Sequence, residues 1–233
     1  MTEKWLIDEV QYAGEEHLDE GYVEGYDRKA QFDPTDDIQQ LLQLGLSKSS
    51  NVIDFGAGSG VFALAIAPYC RSVVAVDPSP AMNARLQAAV VKAGIRNLSV
   101  VNSGFLTYNH SAEPVDFIFT RNALHHLPDF WKALALTRMH ALLAPQGILR
   151  IKDLIFDFNP AETDEKLAAW MAGAVDNAAL GWTADELAEH VRKEYSTFSW
   201  IFELMLQRTG FAIMDRAYGR HVYGAYTCYA RPG

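Results

Sequence analysis

Asn51-Val52-Ile53-Asp54-Phe55-Gly56-Ala57-Gly58-Ser59-Gly60, followed by the apolar run Val61–Tyr69, is the stretch that decides the fold. A short apolar segment breaks into alternating glycines, and a helical pattern resumes at once. This spacing predicts a buried strand, a tight loop and a helix. Glycines in such a loop let the backbone turn sharply and approach a ligand, while free N–H groups at the helix start suit an anion. Alone, the loop is also compatible with a tight turn that binds nothing.

The next segment outward narrows the choice. Val73-Val74-Ala75-Val76-Asp77 is an apolar strand ending in a carboxylate, about twenty residues past the glycines, where doubly wound folds hold ribose hydroxyls. A solvated turn aspartate is the other reading of Asp77. Loop and acid together point to an adenosine-containing cofactor at the carboxyl edge of a sheet. A nicotinamide dinucleotide fits less well. Its G-x-G-x-x-G fingerprint needs a third glycine where Val61 stands, and here that glycine falls one place early, at Gly60.

Further outward, Ile38, Leu41, Leu42, Leu44 and Leu46 predict a helix before the first strand. Ser72–Val76, Leu98–Val101, Val115–Thr120 and Ile148–Ile155 predict four more strands, with helices over Ala81–Ala93 and Trp131–Leu143 and a turn at Pro145-Gln146-Gly147. Short apolar strands alternating with helices make βαβ units and a mostly parallel sheet covered on both faces. The alternation then stops. Pro160–Arg192 reads as two helices, the second opened by a Thr183/Glu186 capping box, and Ser199–Arg208 is a helix stopped by Gly210. Phe211–Ala217 and Val222–Ala230 are separated only by a turn around Gly219, which permits an antiparallel hairpin and no parallel crossover. The expected fold is α/β and Rossmann-like: a doubly wound, mostly parallel seven-stranded sheet with a C-terminal antiparallel hairpin. Residues 1–36 are expected to form a helical cap segment, residues 37–233 the main domain, and residues from about 160 to 195 a helical insert.

Composition sets bounds on partners. The 233 residues carry a formal charge of -9 and no Lys/Arg run, so phosphate backbones are repelled and nucleic acid is disfavoured. Cys70 and Cys228 match no metal-ligand or C-x-x-C spacing and read as small buried apolar residues. The N-terminal stretch lacks a basic region followed by an apolar run, and no segment reaches the roughly 20 apolar residues needed to span a bilayer. A cytoplasmic protein with no membrane attachment is the expectation.

Taken in order, the motifs resemble those of class I S-adenosylmethionine-dependent methyltransferases. Asp54-x-Gly56-x-Gly58-x-Gly60 is similar to that family's first motif, and Val76-Asp77-Pro78-Ser79-Pro80-Ala81-Met82 to its second. Val100–Leu106 occupies the place of the third, with Ser103 where an acid often stands. Val115–Leu127, containing Arg121-Asn122-Ala123-Leu124-His125-His126, resembles the fourth, and Leu142–Gly147 the turn before strand five. The likeness runs from roughly Asp37 to Ala230, broken by the helical insert, and its subtype resembles small-molecule enzymes of the quinone-biosynthesis kind.

The resemblance implies S-adenosylmethionine as cofactor and S-adenosylhomocysteine as product. Gly56, Ala57, Gly58 and Gly60 would line the methionine part, with Asp54 near its amino group. Asp77 would hold the ribose, and Pro78, Ser79 or Met82 would border the adenine. Ser103, Gly104 and Phe105 would meet the adenine edge, and Arg121, Asn122 and Ala123 would approach the methyl. Tyr26 is a candidate to close over the cofactor, with surface packing as the other reading. His125 and His126 are the candidate general bases, needed only if the acceptor is protonated at working pH; a structural part in the turn after strand four is the other reading. Glu194, Tyr195 and Trp200 are candidates for the acceptor side. Asp153 either faces the pocket or ends its strand. No metal is expected, because only Asp153 and Asp157 stand where clustered acids would be required. The absence of an Asn-Pro-Pro-Tyr-like motif or a Pro-Cys after strand four argues against methylation of adenine, of glutamine in proteins, or of cytosine C5. An O-, N- or C-methylation of a small molecule remains. A macromolecular acceptor, or a non-catalytic cofactor-binding protein of this fold, are the alternatives.

Overall fold

The computed structural model describes residues 4–13, 32–178 and 180–232. Its strands are β1 (Asn51–Phe55), β2 (Ser72–Asp77), β3 (Leu98–Asn102), β4 (Val115–Arg121), β5 (Leu143–Phe156), β6 (Thr197–Phe198), β7 (Phe211–Gly219) and β8 (Tyr223–Ala230). The helices are α1 (Thr35–Gln43), α2 (Val61–Ile66), α3 (Pro80–Ala93), α4 (Asp129–Leu142), α5 (Thr163–Met171), α6 (Ala184–Lys193) and α7 (Ser199–Arg208). Seven strands form the main sheet in the order β3-β2-β1-β4-β5-β8-β7, and the two-residue β6 pairs with the end of β5. The first five are parallel, whereas β8 runs antiparallel to β5 and β7 antiparallel to β8.

Alternation along each strand feeds two cores. Ile53, Phe55, Leu149 and Ile151 meet Leu136 and Met139 of α4 and Phe202 and Leu206 of α7. Val52, Phe117 and Phe119 meet Leu41 of α1, Phe62 and Ile66 of α2, and Leu86 of α3. Burial on both faces explains why these strands read as continuous apolar runs. A third, smaller cluster joins Leu154 and Val222 to Trp170 of α5 and Leu187 of α6, so the insert has a core of its own.

Local signals explain most boundaries. Ser79 caps α3 by accepting the Met82 N–H at 3.2 Å, and left-handed Gly94 ends it. The Thr183/Glu186 capping box opens α6. The structure departs from expectation at β5, which begins at Leu143 and runs through the predicted turn. Val115 pairs with Leu143 and Phe117 with Ile148, so Ala144–Gly147 form a bulge, with Gln146 left-handed (φ 64°). In the N-terminal segment, the described residues contain one 3-10 turn, Glu9–Tyr12.

One buried ionic cluster ties α1 to the sheet. Asp37, fully buried, accepts from Arg150 Nε at 3.1 Å and Lys152 Nζ at 2.6 Å, both on β5.

Candidate active site

The strand order reverses between β1 and β4, and the crevice at their carboxyl ends is where doubly wound sheets take ligands. An open cleft of about 960 Å³, counted with its mouth, lies there. The loop after β1 forms its floor: Gly56, Gly58 and Gly60 have φ of 65°, 54° and 84°, a region that favours glycine. A Cβ on Gly56 would collide with the Ala123 Cβ, so the glycine also allows the β4 loop to close against the β1 loop.

Asp77 is held rigidly at the end of β2. Its Oδ2 accepts the Gly58 N–H at 2.8 Å, and its Oδ1 accepts the Ser79 N–H at 2.8 Å. Burial pushes its carboxyl up to about 6, against those two bonds, which pull it down. Asp54 is also buried, and burial together with the Asp77 charge raises its carboxyl well above the ordinary range. Its Oδ2 has no hydrogen-bond partner among the described residues. A buried acceptor of that kind calls for a donor.

A second cavity, of about 410 Å³ counted with its mouth, lies against the insert and is lined by Leu154, Trp170, Trp182, Leu187, His190 and Tyr223, together with His125. Asn122 and His126 border both cavities and form their common wall. Asn122 is left-handed (φ 47°) and donates its N–H to Lys152 O at 2.8 Å, one of the uncommon non-glycine positions that cluster at sites.

Behind that wall sits a polar chain. His125 donates from Nδ1 to Asp153 Oδ1 at 2.5 Å, and its Nε2 lies 3.1 Å from Glu194 Oε2. His190 Nδ1 donates to Glu194 Oε1 at 2.6 Å. Burial pulls the His125 pKa down, but the charges and hydrogen bonds of Asp153 and Glu194 prevail and hold it at about 10. Glu194 is lowered in turn: burial raises it, and the bonds from His125 and His190 outweigh that. Asp153 also accepts the N–H groups of Leu124 and Leu154, at 2.8 and 2.7 Å, which fixes the turn after β4. Glu194 is positioned through its neighbour: the Tyr195 N–H donates to His125 O at 2.8 Å, and buried Lys132 donates to Tyr195 O.

The methyltransferase-domain family matches residues 26–215, most of the chain. This protein is a member of that family, in the class that uses S-adenosylmethionine. An uncharacterized methyltransferase of Anoxybacillus flavithermus is 27% identical over 219 residues, 90% of this chain and 96% of that protein. Another, OB1106 of Oceanobacillus iheyensis, is 25% identical over 127 residues, 54% of this chain and 57% of that protein. Among solved structures, magnesium protoporphyrin IX methyltransferase of Synechocystis PCC 6803, with bound S-adenosylmethionine, superposes with a TM-score of 0.66 at 13% identity, covering 99% of this chain and 100% of that one. That likeness speaks to the fold. Among the described residues, no helix of this methyltransferase is long and apolar enough to cross a membrane.

The cofactor fits the residues present. The orphaned Asp54 Oδ2 matches an amino group, Asp77 matches ribose hydroxyls, and a glycine floor admits the chain between them. Of the residues expected around the cofactor, Asp54, Gly56, Ala57, Gly58, Asp77 and Pro78 line the cleft, as do Met82, Phe105, Arg121, Asn122 and Ala123. Three others stand behind it. Gly60 faces Leu86 and makes room for α3, Ser79 caps that helix, and Ser103 bonds the Thr107 hydroxyl at 3.0 Å. Gly104 lies under the carboxylate of Glu9. Tyr26 lies outside the described residues.

On the acceptor side, His125 and His126 reach the second cavity. The Tyr195 ring is 41% exposed and leans on Tyr12, and Trp200 is 60% exposed, stacked on Phe198. Tyr195 lies in the turn between α6 and β6, where its backbone makes the link inward, and Trp200 lies in the first turn of α7 with its side chain on the exposed face.

Glu9, Tyr12 and Ala13 also line the cleft and were not expected there. Glu9 is buried, accepts the Leu106 N–H at 3.0 Å and the Thr107 hydroxyl at 2.9 Å, and so fastens the N-terminal turn over the loop after β3. Phe32 is another addition: Arg121 lies 4.1 Å over its ring.

Proposed function

We propose that this methyltransferase acts on a small-molecule acceptor seated in the aromatic cavity beneath α5 and α6. The observation that carries this reading is the shared wall: Asn122 and His126 border both the cofactor cleft and the second cavity. S-adenosylmethionine, when bound, supplies an already activated methyl group. The chain's own residues hold the acceptor in line, keep water out and place dipoles where charge changes. Leu154, Trp170, Trp182 and Tyr223 supply an apolar, aromatic lining of the kind that small-ligand pockets carry. His126 stands between the two spaces and is the residue placed to accept a proton from an acceptor hydroxyl or amine. His125, flanked by two carboxylates, orients the turn that carries it.

The test is calorimetric titration with S-adenosylmethionine and S-adenosylhomocysteine, followed by screening phenols, amines and carboxylic acids for S-adenosylhomocysteine formation. Turnover that Trp182→Ala impairs through acceptor KM, with cofactor affinity unchanged, supports the reading. Turnover on proteins or nucleic acids alone would refute it.

A further inference from the structure

His125, His190 and Glu194 each offer one possible ligand atom, and those atoms all lie within 4.8 Å of one another. His190 and Glu194 are four residues apart at the end of α6, so both project from one helical face. His125 comes from the turn after β4, 65 positions away in sequence from His190, and is brought in by the Tyr195-to-His125 backbone bond.

The surroundings of His125 are those of a metal ligand. Its Nδ1 is committed to Asp153, which fixes the ring and leaves Nε2 to face Glu194. A carboxylate holding the far nitrogen of a histidine is the usual support behind a metal-bound imidazole. Glu194 Oε2 is buried, and among the described residues its nearest donor is His125 Nε2 at 3.1 Å, close to it but poorly aligned. An acceptor oxygen buried beside two imidazoles is a coordination position with its bond unmade.

We propose that His125 Nε2, His190 Nδ1 and Glu194 Oε2 bind one divalent transition-metal ion in the wall of the aromatic cavity. Two imidazoles and one carboxylate suit zinc, cobalt, nickel or ferrous iron, and disfavour magnesium and calcium, which take oxygen. Bond lengths near 2.1 Å require the three atoms to draw together, a movement of side-chain rotamers at the end of α6. On binding, the ion replaces the proton at His125 Nε2, which leaves to solvent. The Nδ1 proton that His190 gives to Glu194 shifts to His190 Nε2, so that both coordinating nitrogens carry a free lone pair. Three protein ligands leave a position open, as in catalytic sites, and His125 and His190 both line the cavity. Resting here on the acceptor reading above, we assign that open position to an anionic oxygen of the acceptor, such as a phenolate or carboxylate.

The experiment is titration of tag-free, chelator-treated full-length protein with Co²⁺, followed by visible absorption, and with Zn²⁺ by calorimetry. One equivalent is expected, with the strong visible bands of a four- or five-coordinate cobalt ion. His190→Ala and Glu194→Gln should each weaken binding by more than about tenfold, and Asp153→Asn by about 10- to 100-fold, the range for an outer-shell partner. S-adenosylmethionine titration of each variant reports whether the fold is intact. Absence of a stoichiometric site in the wild type, or binding indifferent to both His190→Ala and Glu194→Gln in folded variants, overturns the proposal. Cofactor binding without metal binding removes this site alone, whereas metal binding without cofactor binding removes the methyl-transfer reading and leaves the site standing.

Discussion

Gly58 gives its backbone N–H to Asp77 Oδ2 at 2.8 Å, which fastens the loop after β1 to the carboxylate ending β2. The two motifs that identify the cofactor half are therefore one hydrogen-bonded unit, and Asp77 does two jobs with one carboxylate.

Asp77→Ala is expected to weaken S-adenosylmethionine binding by about tenfold or more, because charge-assisted bonds to ribose and the tie to Gly58 are lost together. Calorimetry reads this directly, and unchanged affinity would remove Asp77 from the site.

Cofactor affinity should also depend on pH. The carboxylate of Asp77 accepts hydroxyl donors when ionised, and its folded pKa lies near 6, so affinity should fall as pH drops from 7.5 to 5. The sign for stability is the reverse. A folded pKa raised above the unfolded value gives stability that is present below the unfolded pKa, near 4, and is lost as pH rises through about 6. Titrations and thermal melts of wild type against Asp77→Asn, taken across that window, check both; a flat affinity profile would contradict the first.

Gly56→Ala should damage loop and site together. The added Cβ would coincide with that of Ala123, and φ of 65° disfavours any side chain. A loss of about 1–3 kcal/mol in stability is expected, with cofactor affinity reduced because Asn122 and Ala123 must shift. A melt and titration equal to wild type would show that the loops have slack.

Asp37→Ala should destabilise by about 3–5 kcal/mol, since removing one partner strands the buried Arg150 guanidinium. Urea unfolding measures it. A loss under about 1 kcal/mol, the scale of an exposed pair, would mean water reaches Arg150.

The cofactor half was readable in sequence because its signals are local. Strand, glycines and helix lie within Asn51–Ile66, and Asp77 ends the next strand. The rest depends on contacts that no short window contains. Glu9 reaches Leu106 from 97 positions away in sequence, and Asp37 on α1 finds Arg150 and Lys152 on β5. His190 and Glu194 stand four residues apart at the end of one helix, a spacing present in the sequence, but what gives the pair meaning is His125, supplied by the fold. Tyr195 and Trp200 are both exposed, a property that aromatic character in a sequence does not reveal.

The separate core of the insert has a consequence for how such an enzyme diversifies. Leu154, Trp170, Leu187 and Val222 anchor α5 and α6 through a cluster distinct from the two that hold the sheet and its helices. Substitutions that repack that cluster are expected to reshape one side of the aromatic cavity while leaving the glycine loop, Asp54 and Asp77 in place, because distant sites with no shared partners behave independently. The wall of that cavity can thus be rebuilt by a few changes in the insert without touching the loop after β1.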